Sequence, residues 1–531
     1  MVTADQIIKR CSNMTAVRDI HVPTWRECYR YSYPIRMSGF HDEVMTSQEL
    51  MDWLSQLNDS TTTEAVRVFT AHLMDGMTPS NALWFGMDVG EESDDEKRWL
   101  GKASKVIWQN IHNANFDSVA FESMLDAVIA GWFVMFVDEK EGGGYHFEQW
   151  PISQCYVTAS RAGETVDTVY RKFKLRADQA INEYGRDKVC DKVRDAVDNG
   201  KEHTKFEFIH AVEPRKKHVV NARLAKNMPV ASYHVCCTSK AIMREGGYHE
   251  MPCIVPRWLL LPESEYAVGP VLDALADART INKVKEFGLI NLDMAVGGLW
   301  IAEDDGVLTP RNLKIGPRRV IIANSVESMK ALQTSTDFNI EFAAEDRIQA
   351  QIRKLLLADI LPPLDEQPRT ATEINMRMQY IRQMLGPIFA RLQSEYLQPL
   401  IERCFGIAYR AGILGKAPES LANRTFHVKY ESPLARAQKL GEVNAIDQYF
   451  AGLMAGAELN PDVMDNIDMD KAARYRGEAL GVPSDIMPSV DEIAEKRAAR
   501  QQQQQEQQQQ AIGQEIALEA GTAAAKQAVG V

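Results

Sequence analysis

Arg347, Gln351 and Lys354 are the residues of this 531-residue chain whose types and spacing most invite a chemical reading. With Phe338 as origin and about 100° per residue, Phe338, Phe342, Ile352 and Leu356 fall on one side of a helix. Arg347, Gln351 and Lys354 fall on the other, beside the small Ala343 and Ala350. The separation is incomplete, because Glu345 and Gln349 intrude on the apolar side and Ile340 sits among the polar residues. Two cations two turns apart suit contact with a repeating anion such as a phosphate backbone. They supply no nucleophile, acid or base. A solvated helix face has the same pattern, and both readings stay open. A smaller basic pair, Arg279 and Lys283 beside Glu286, reads as a salt-bridged contact between subunits.

Other candidate chemistry falls away on spacing. No Gly-x-x-x-x-Gly-Lys-Ser/Thr occurs, which argues against a nucleotide-driven motor. Gly142-Gly-Gly144 reads as a hairpin turn, since Asp138, Glu139 and Glu141 would repel phosphate. His249-Glu250 lacks the second histidine of the helical zinc motif, and Gly-x-Ser-x-Gly is absent. Asp304-Asp305-Gly306 lacks the alternating acids of a calcium loop and reads as a turn. Cys236-Cys237 reads as two buried thiols on or near a strand. Glu91-Glu92 and Asp94-Asp95 read as a solvated face. No catalytic residue, metal site or cofactor is expected, and the chain is not expected to be an enzyme.

Composition sets further limits. Hydrophobic residues make up 45% and charged residues 25%, ordinary for a globular protein able to bury a large core. The length predicts three or four domains at roughly 150 residues each. A net charge of −13 disfavours whole-molecule attraction to nucleic acid, so any such contact is local. No apolar run is long enough to span a membrane, and the N-terminus lacks a signal-peptide layout. The eight scattered cysteines, with no Cys-x-x-Cys pair, suggest reduced thiols in a cytosolic compartment.

The elements that must position the basic stripe lie between Glu265 and Gly415. A first helix is expected over 268–293. A β insert follows over 294–334, with strand-like runs at Leu299-Trp-Ile301 and Val320-Ile-Ile322. The stripe-bearing helix spans 337–358, about 33 Å at about 1.5 Å per residue. A proline-rich loop, 359–370, leads to a long helix from Thr372 to about Ala411, kinked at Pro387 and Pro399. Such an order suits a part repeated around a ring.

Upstream, residues 1–57 read as helices broken at Pro23 and Pro34. Asp59-Ser-Thr-Thr-Thr-Glu64 is a helix start whose hydroxyls can cap free N–H groups. Val66, Phe69, Leu73 and Met77 make its buried face up to Thr78-Pro79, and 91–97 read as solvated acids. A second amphipathic helix, 116–130, carries Phe121, Leu125 and Val128 on one face and ends at Gly131. Strands at 133–137, 145–150, 156–157, 169–171 and 206–212, with a short helix at 177–184, predict a mixed sheet. Downstream come a strand at 426–430, a helix over 435–455 and a Gln- and Ala-rich tail. The fold class is α+β, mainly helical.

At this point the chain resembles the portal, or head-to-tail connector, proteins of short-tailed tailed bacteriophages. The resemblance rests on Ala71-His-Leu-Met-Asp-Gly-Met-Thr-Pro79 with Trp84-Phe85, and on Phe116 through Phe121-Glu122 to Ala130-Gly131. It also rests on Val166-Asp-Thr-Val-Tyr-Arg171 with Gln179, and on Arg369-Thr-Ala-Thr-Glu373 leading to Leu397-Gln-Pro-Leu400. The matches run in order from about residue 20 to 480 and do not cover the tail after Val490.

The resemblance implies a homo-oligomeric ring, usually of twelve copies, at one capsid vertex, through which double-stranded DNA is packaged and ejected. It implies an N-terminal wing (1–264), stem helices (265–293 and 336–358), a clip (294–335), a tunnel loop (359–371), a long wing helix (372–414), a crown region (415–490) and a tail (491–531). Arg347, Gln351, Lys354 and, on the tunnel loop, Arg369 would face the DNA channel. Arg311, Lys314, Arg318 and Arg319 of the clip would dock partners. Expected partners are the terminase packaging motor, a tail adaptor, and the major capsid and scaffold proteins, with no membrane. The ring would belong to the virion and be assembled in the host cytoplasm. A non-ring capsid scaffold or adaptor is the alternative. The loop's Pro362, Pro363 and Pro368 and its acids Asp359, Asp365 and Glu366 predict a stiff, weakly attractive segment.

Overall fold

A computed structural model describes residues 2–40, 46–90, 93–140, 144–161, 163–219, 222–297, 299–302, 329–332, 338–360, 386–421, 427–430, 443, 445–454, 468–480 and 492–505. The chain forms two compact units, Met1–Ser80 with Asn110–Ala411, and Asn81–Gln109 with Gly412–Val531.

The first unit opens with α1 (Ala4–Asp19), which starts on a reciprocal cap between Thr3 and Gln6. Pro23 occupies the first turn of α2 (Val22–Ser32), where no N–H is missed. After α3 (Ser47–Ser55) comes α4 (Thr61–Met77), with Val66, Phe69, Leu73 and Met77 all buried as their spacing predicts. Its start differs from expectation. Ser60 makes no side-chain cap; the Asp59 carboxylate accepts from the Thr61 amide at 2.9 Å instead. A carboxylate also complements the positive end of the helix.

The second unit holds β1 (Phe85–Asp88) and, up to Gln109, the helix α5 (Asp94–Asn113). The acids expected to be merely solvated open this helix. Ser93 donates its amide to Glu96 at 2.9 Å and its hydroxyl accepts the Glu96 amide at 3.3 Å, with Glu96 buried.

Returning to the first unit, α6 (Phe116–Ala130) ends at Gly131, whose φ of +91° is the left-handed cap expected there. Leu125 and Val128 are buried, but Phe121 is exposed. A hairpin follows, β2 (Val134–Glu139) on β3 (Tyr145–Trp150), with Val134 opposite Trp150. Then come β4 (Cys155–Thr158), β5 (Thr168–Arg176), α7 (Ala177–Tyr184), α8 (Asp191–Asp198), β6 (Lys205–Pro214), β7 (Val230–Cys236) and β8 (Ala241–Tyr248).

These five strands form one sheet in sequence order, antiparallel throughout rather than mixed. Antiparallel neighbours need no crossover, so β7 turns directly into β8, while α7 and α8 are inserted between β5 and β6. Period-two alternation places Ile209 and Ala211 on one face, where Ile7 and Cys11 of α1 cover them. Phe208 and Cys236 face the other way, against Ala180, Tyr184 and Val193 of α7 and α8. Cys237, just beyond β7, is half-buried.

Beyond the sheet, β9 (Cys253–Ile254) joins β2, and β10 (Leu259–Leu260) pairs with β11 (Ala267–Val268). The helix α9 (Val271–Gly297) runs past its expected end at Asp293. Its successor β12 (Leu299–Ala302) pairs with β13 (Met329–Leu332), and α10 (Phe338–Leu355) follows. The expected strand at Val320–Ile322 lies outside the described residues. Residues 386–392 are helical, Gln393–Leu397 form a wider π turn, and α11 (Gln398–Arg410) completes the run. Pro399 has no N–H to give the Glu395 carbonyl, and the wide turn sits where the expected kink would relieve that conflict.

In the second unit β14 (His427–Tyr430) pairs with β1, Phe85 opposite Tyr430. It also holds α12 (Met469–Leu480) and a helical stretch over 492–505. Arg98–Glu492 and Arg497–Asp470 join its parts by ion pairs of 3.2 and 2.7 Å.

Candidate functional site

The basic stripe is positioned by three helices of the first unit. Helix α10 packs on α9 and α4. Ile352 and Leu356 are fully buried, whereas Arg347, Gln351 and Lys354 are exposed together with Ala343 and Ala350. Neither cation makes an ion pair among the described residues. Phe342, expected on the apolar side, is 60% exposed, and on α9 Phe287, Leu289 and Leu292 are exposed too. The inner parts of these helices are thus covered by their own chain and the outer parts are not.

Arg279 and Lys283 each find an acid within their own chain. Arg279 reaches Glu27 of α2 at 2.6 Å, and Lys283 reaches Glu286 at 2.8 Å. Arg369, Arg311, Lys314, Arg318 and Arg319 lie outside the described residues.

Sequence reading missed the group that holds the three helices together. The Asp59 carboxylate, 1% exposed, meets the Lys285 ammonium of α9 at 2.7 Å. It also accepts from the Gln349 amide of α10 at 3.0 Å, 290 positions away in the chain. The backbone N–H of Asn58 donates to the Asn282 side chain at 2.8 Å. Gln349, a flaw in the helix pattern, is therefore a contact. Burial pushes the Asp59 carboxyl up, but Lys285 and Thr61 pull harder and its net shift is downward. Such a group adds stability above the ordinary aspartate value of about 3.9, lost as pH falls through the lower folded value. Asp59→Asn is expected to cost about 1–3 kcal/mol near neutrality. In urea titrations from neutral pH down to pH 3, the gap between wild type and variant should shrink once pH falls below the ordinary aspartate value. A constant gap would contradict this role.

Just beyond α10, Leu357 adopts φ +52°, the left-handed region usually left to glycine. The stop is fixed by position rather than residue type, which sequence reading cannot see. Farther along, the π turn and α11 are each tied down. Glu395 pairs with Arg257, and Glu250 takes both Arg403 and Arg410 at 3.0 and 2.5 Å.

Among the described residues no group of three or more His, Cys, Asp or Glu is placed to hold a metal ion. No helix among them is long and apolar enough to cross a membrane. What the exposed stripe offers is charge at fixed spacing on a rigid support.

Comparison with known proteins supplies the context. The chain is 25% identical over 513 residues to the probable portal protein of Bordetella phage BPP-1, covering 93% of this chain and 90% of that one. It is 24% identical over 476 residues to the portal protein of Salmonella phage epsilon15, covering 84% and 82%. A chain in the solved neck of an empty GTA particle aligns over 73% of this chain and 86% of its own, with 12% identity and a TM-score of 0.33. A family-wide match spans residues 4–487, and the chain belongs to the bacteriophage head to tail connecting proteins.

Proposed function

We propose that this chain is the subunit of a phage portal ring, with α9 and α10 as its stem and the Arg347, Gln351 and Lys354 face turned to the DNA channel. Given the family, the observation that supports this most is on the two helices themselves. One copy leaves Phe287, Leu289, Leu292 and Phe342 uncovered while presenting a separate basic stripe. Contacts of one patch on a different patch of the next copy close into a ring when the rotation fits. In a closed ring Arg347 and Lys354 form two basic belts about 10 Å apart along the helix. Such belts touch phosphates without reading bases. Each neutralised phosphate adds affinity through counterion release, so sparse belts in an acidic wall let duplex slide.

Arg369 on the tunnel loop adds a third belt. Arg311, Lys314, Arg318 and Arg319 of the clip dock the packaging motor and later the tail adaptor. The ring acts as a conduit in the virion, not as an enzyme, and contacts capsid and scaffold proteins during assembly.

Light scattering of purified protein should give the mass of many copies, usually twelve. A stable monomer at micromolar concentration overturns the ring. Arg347→Gln with Lys354→Gln should leave that mass unchanged and flatten the salt dependence of DNA retention. A loss of ring stability instead would place both side chains against a neighbouring copy, paired with acids such as Asp273 or Asp277.

A further inference from the structure

No Asp or Glu occurs between Glu213 and Glu245, in a chain of net charge −13. The connection from β6 to β7 within that span carries Arg215, Lys216, Lys217, Arg223 and Lys226. Lys216, Lys217, Arg223 and Lys226 are exposed and make no ion pair among the described residues. This positive edge borders a groove of about 790 Å³ between α1 and the ends of β4, β5 and β6. That volume lies within the range of clefts that bind ligands.

The groove has two kinds of wall. Val2 and Met14, both half-buried, give it apolar surface, with the buried Tyr170 and Tyr233 behind them. Lys216, Lys217 and Lys226 form the cationic side. A single carboxylate, Glu213, lies among them and is fully engaged. Arg10 donates to both its oxygens at 2.8 and 2.7 Å, and the Tyr170 hydroxyl donates at 2.6 Å. Arg215 is likewise taken up by Glu245 at 3.1 Å. The lysines are left to an outside partner.

We infer that this groove receives an acidic, amphipathic peptide segment of a partner protein, its carboxylates on Lys216, Lys217 and Lys226 and its apolar side chains against Val2 and Met14. Charge complementarity sets the sign of the partner. The apolar wall sets its class. A phosphate backbone brings nothing to cover Val2 and Met14, whereas a peptide carrying both acids and aliphatic side chains satisfies both walls at once. The site lies apart from the basic stripe of α10 and does not rest on the channel reading.

The probe is a short fluorescein-labelled peptide with Glu and Leu at helical spacing, titrated against the full chain at low salt. Its comparators are the same peptide with each Leu replaced by Ser, and a short DNA duplex. The wild-type chain should bind the Glu/Leu peptide more tightly than the Glu/Ser peptide. The triple variant Lys216→Glu, Lys217→Glu, Lys226→Glu should lose at least about tenfold in affinity, through like-charge opposition. Met14→Ser should lose several-fold with the lysines intact. If the triple variant fails to fold by circular dichroism, Lys226→Glu alone with Met14→Ser decides the matter. Equal binding of the two peptides, or unchanged affinity in the lysine variants, overturns the inference. So does a duplex that displaces the peptide and depends on the same lysines, which would assign the groove to nucleic acid.

Discussion

Replacing Arg257 by Leu is expected to lower the stability of the first unit by about 3–5 kcal/mol, the usual cost of leaving one member of a buried ion pair alone. Arg257 and Glu395 are only 5% and 7% exposed at their side chains. The guanidinium donates from Nε at 3.0 Å and from a terminal nitrogen at 2.7 Å, one to each carboxylate oxygen, and the Arg257 amide adds a bond at 3.1 Å. That terminal nitrogen also reaches the Glu164 carbonyl at 3.3 Å. Leucine removes every side-chain donor and leaves a carboxylate in the dark with one amide. Arg257→Lys should recover only part of the loss, because an ammonium cannot match the two-pronged geometry. Arg257→Met with Glu395→Met should recover more, since no charge is then stranded. Urea midpoints at constant slope measure all three. A leucine variant within about 0.5 kcal/mol of wild type, the range of an ordinary surface substitution, would show that the pair carries no weight.

The second large effect concerns Gly131. Its φ of +91° costs any L side chain about 1–3 kcal/mol. A Cβ there would also overlap the backbone of Val268, which no rotamer can relieve. Gly269 faces it, and a Cβ at that position would strike the Val128 carbonyl at the end of α6. The two glycines let the last turn of α6 and the approach to α9 touch backbone to backbone. Gly131→Ala should therefore cost roughly 2–5 kcal/mol, strain and overpacking together. Gly76→Ala is the control. It lies within α4 with nothing in reach of the added methyl, and should gain up to about 1 kcal/mol. Equal behaviour of the two variants would contradict the close approach.

These two sites show what the sequence made legible. Gly131 was readable as a helix cap, because an apolar periodic run ended there. Its second role was not, because Val268 lies far along the chain. Glu395 sits in a helical pattern with nothing to distinguish it from a solvated acid, and Arg257 in a strand-poor stretch reads as any arginine. Asp59 was placed correctly at a helix start, yet its partners Lys285 and Gln349 belong to other helices. Local periodicity gave α4, α6, α7 and the β2–β3 hairpin. The antiparallel order of the five-stranded sheet was not legible, because β5 and β6 pair across the inserted α7 and α8. On α10 the buried Ile352 and Leu356 and the exposed Arg347, Gln351 and Lys354 follow the helical wheel. Phe342 departs from it and is exposed, a position the wheel alone would have buried.

The Arg257–Glu395 pair also has a clock in it. The two residues are 138 positions apart, and the stretch between them includes α9, the β12–β13 pair and α10. At about 5–20 residues per second, synthesis delivers Glu395 roughly 7 to 28 s after Arg257 has left the ribosome. The Tyr145 hydroxyl waits longer still for the Cys404 carbonyl that it finds at 3.1 Å. Throughout that interval the sheet and its helices are present while the segment that locks them has not yet been made. The nascent chain must pass that time with the seat of the π turn and α11 open, which is when a chaperone or a protease has its best access.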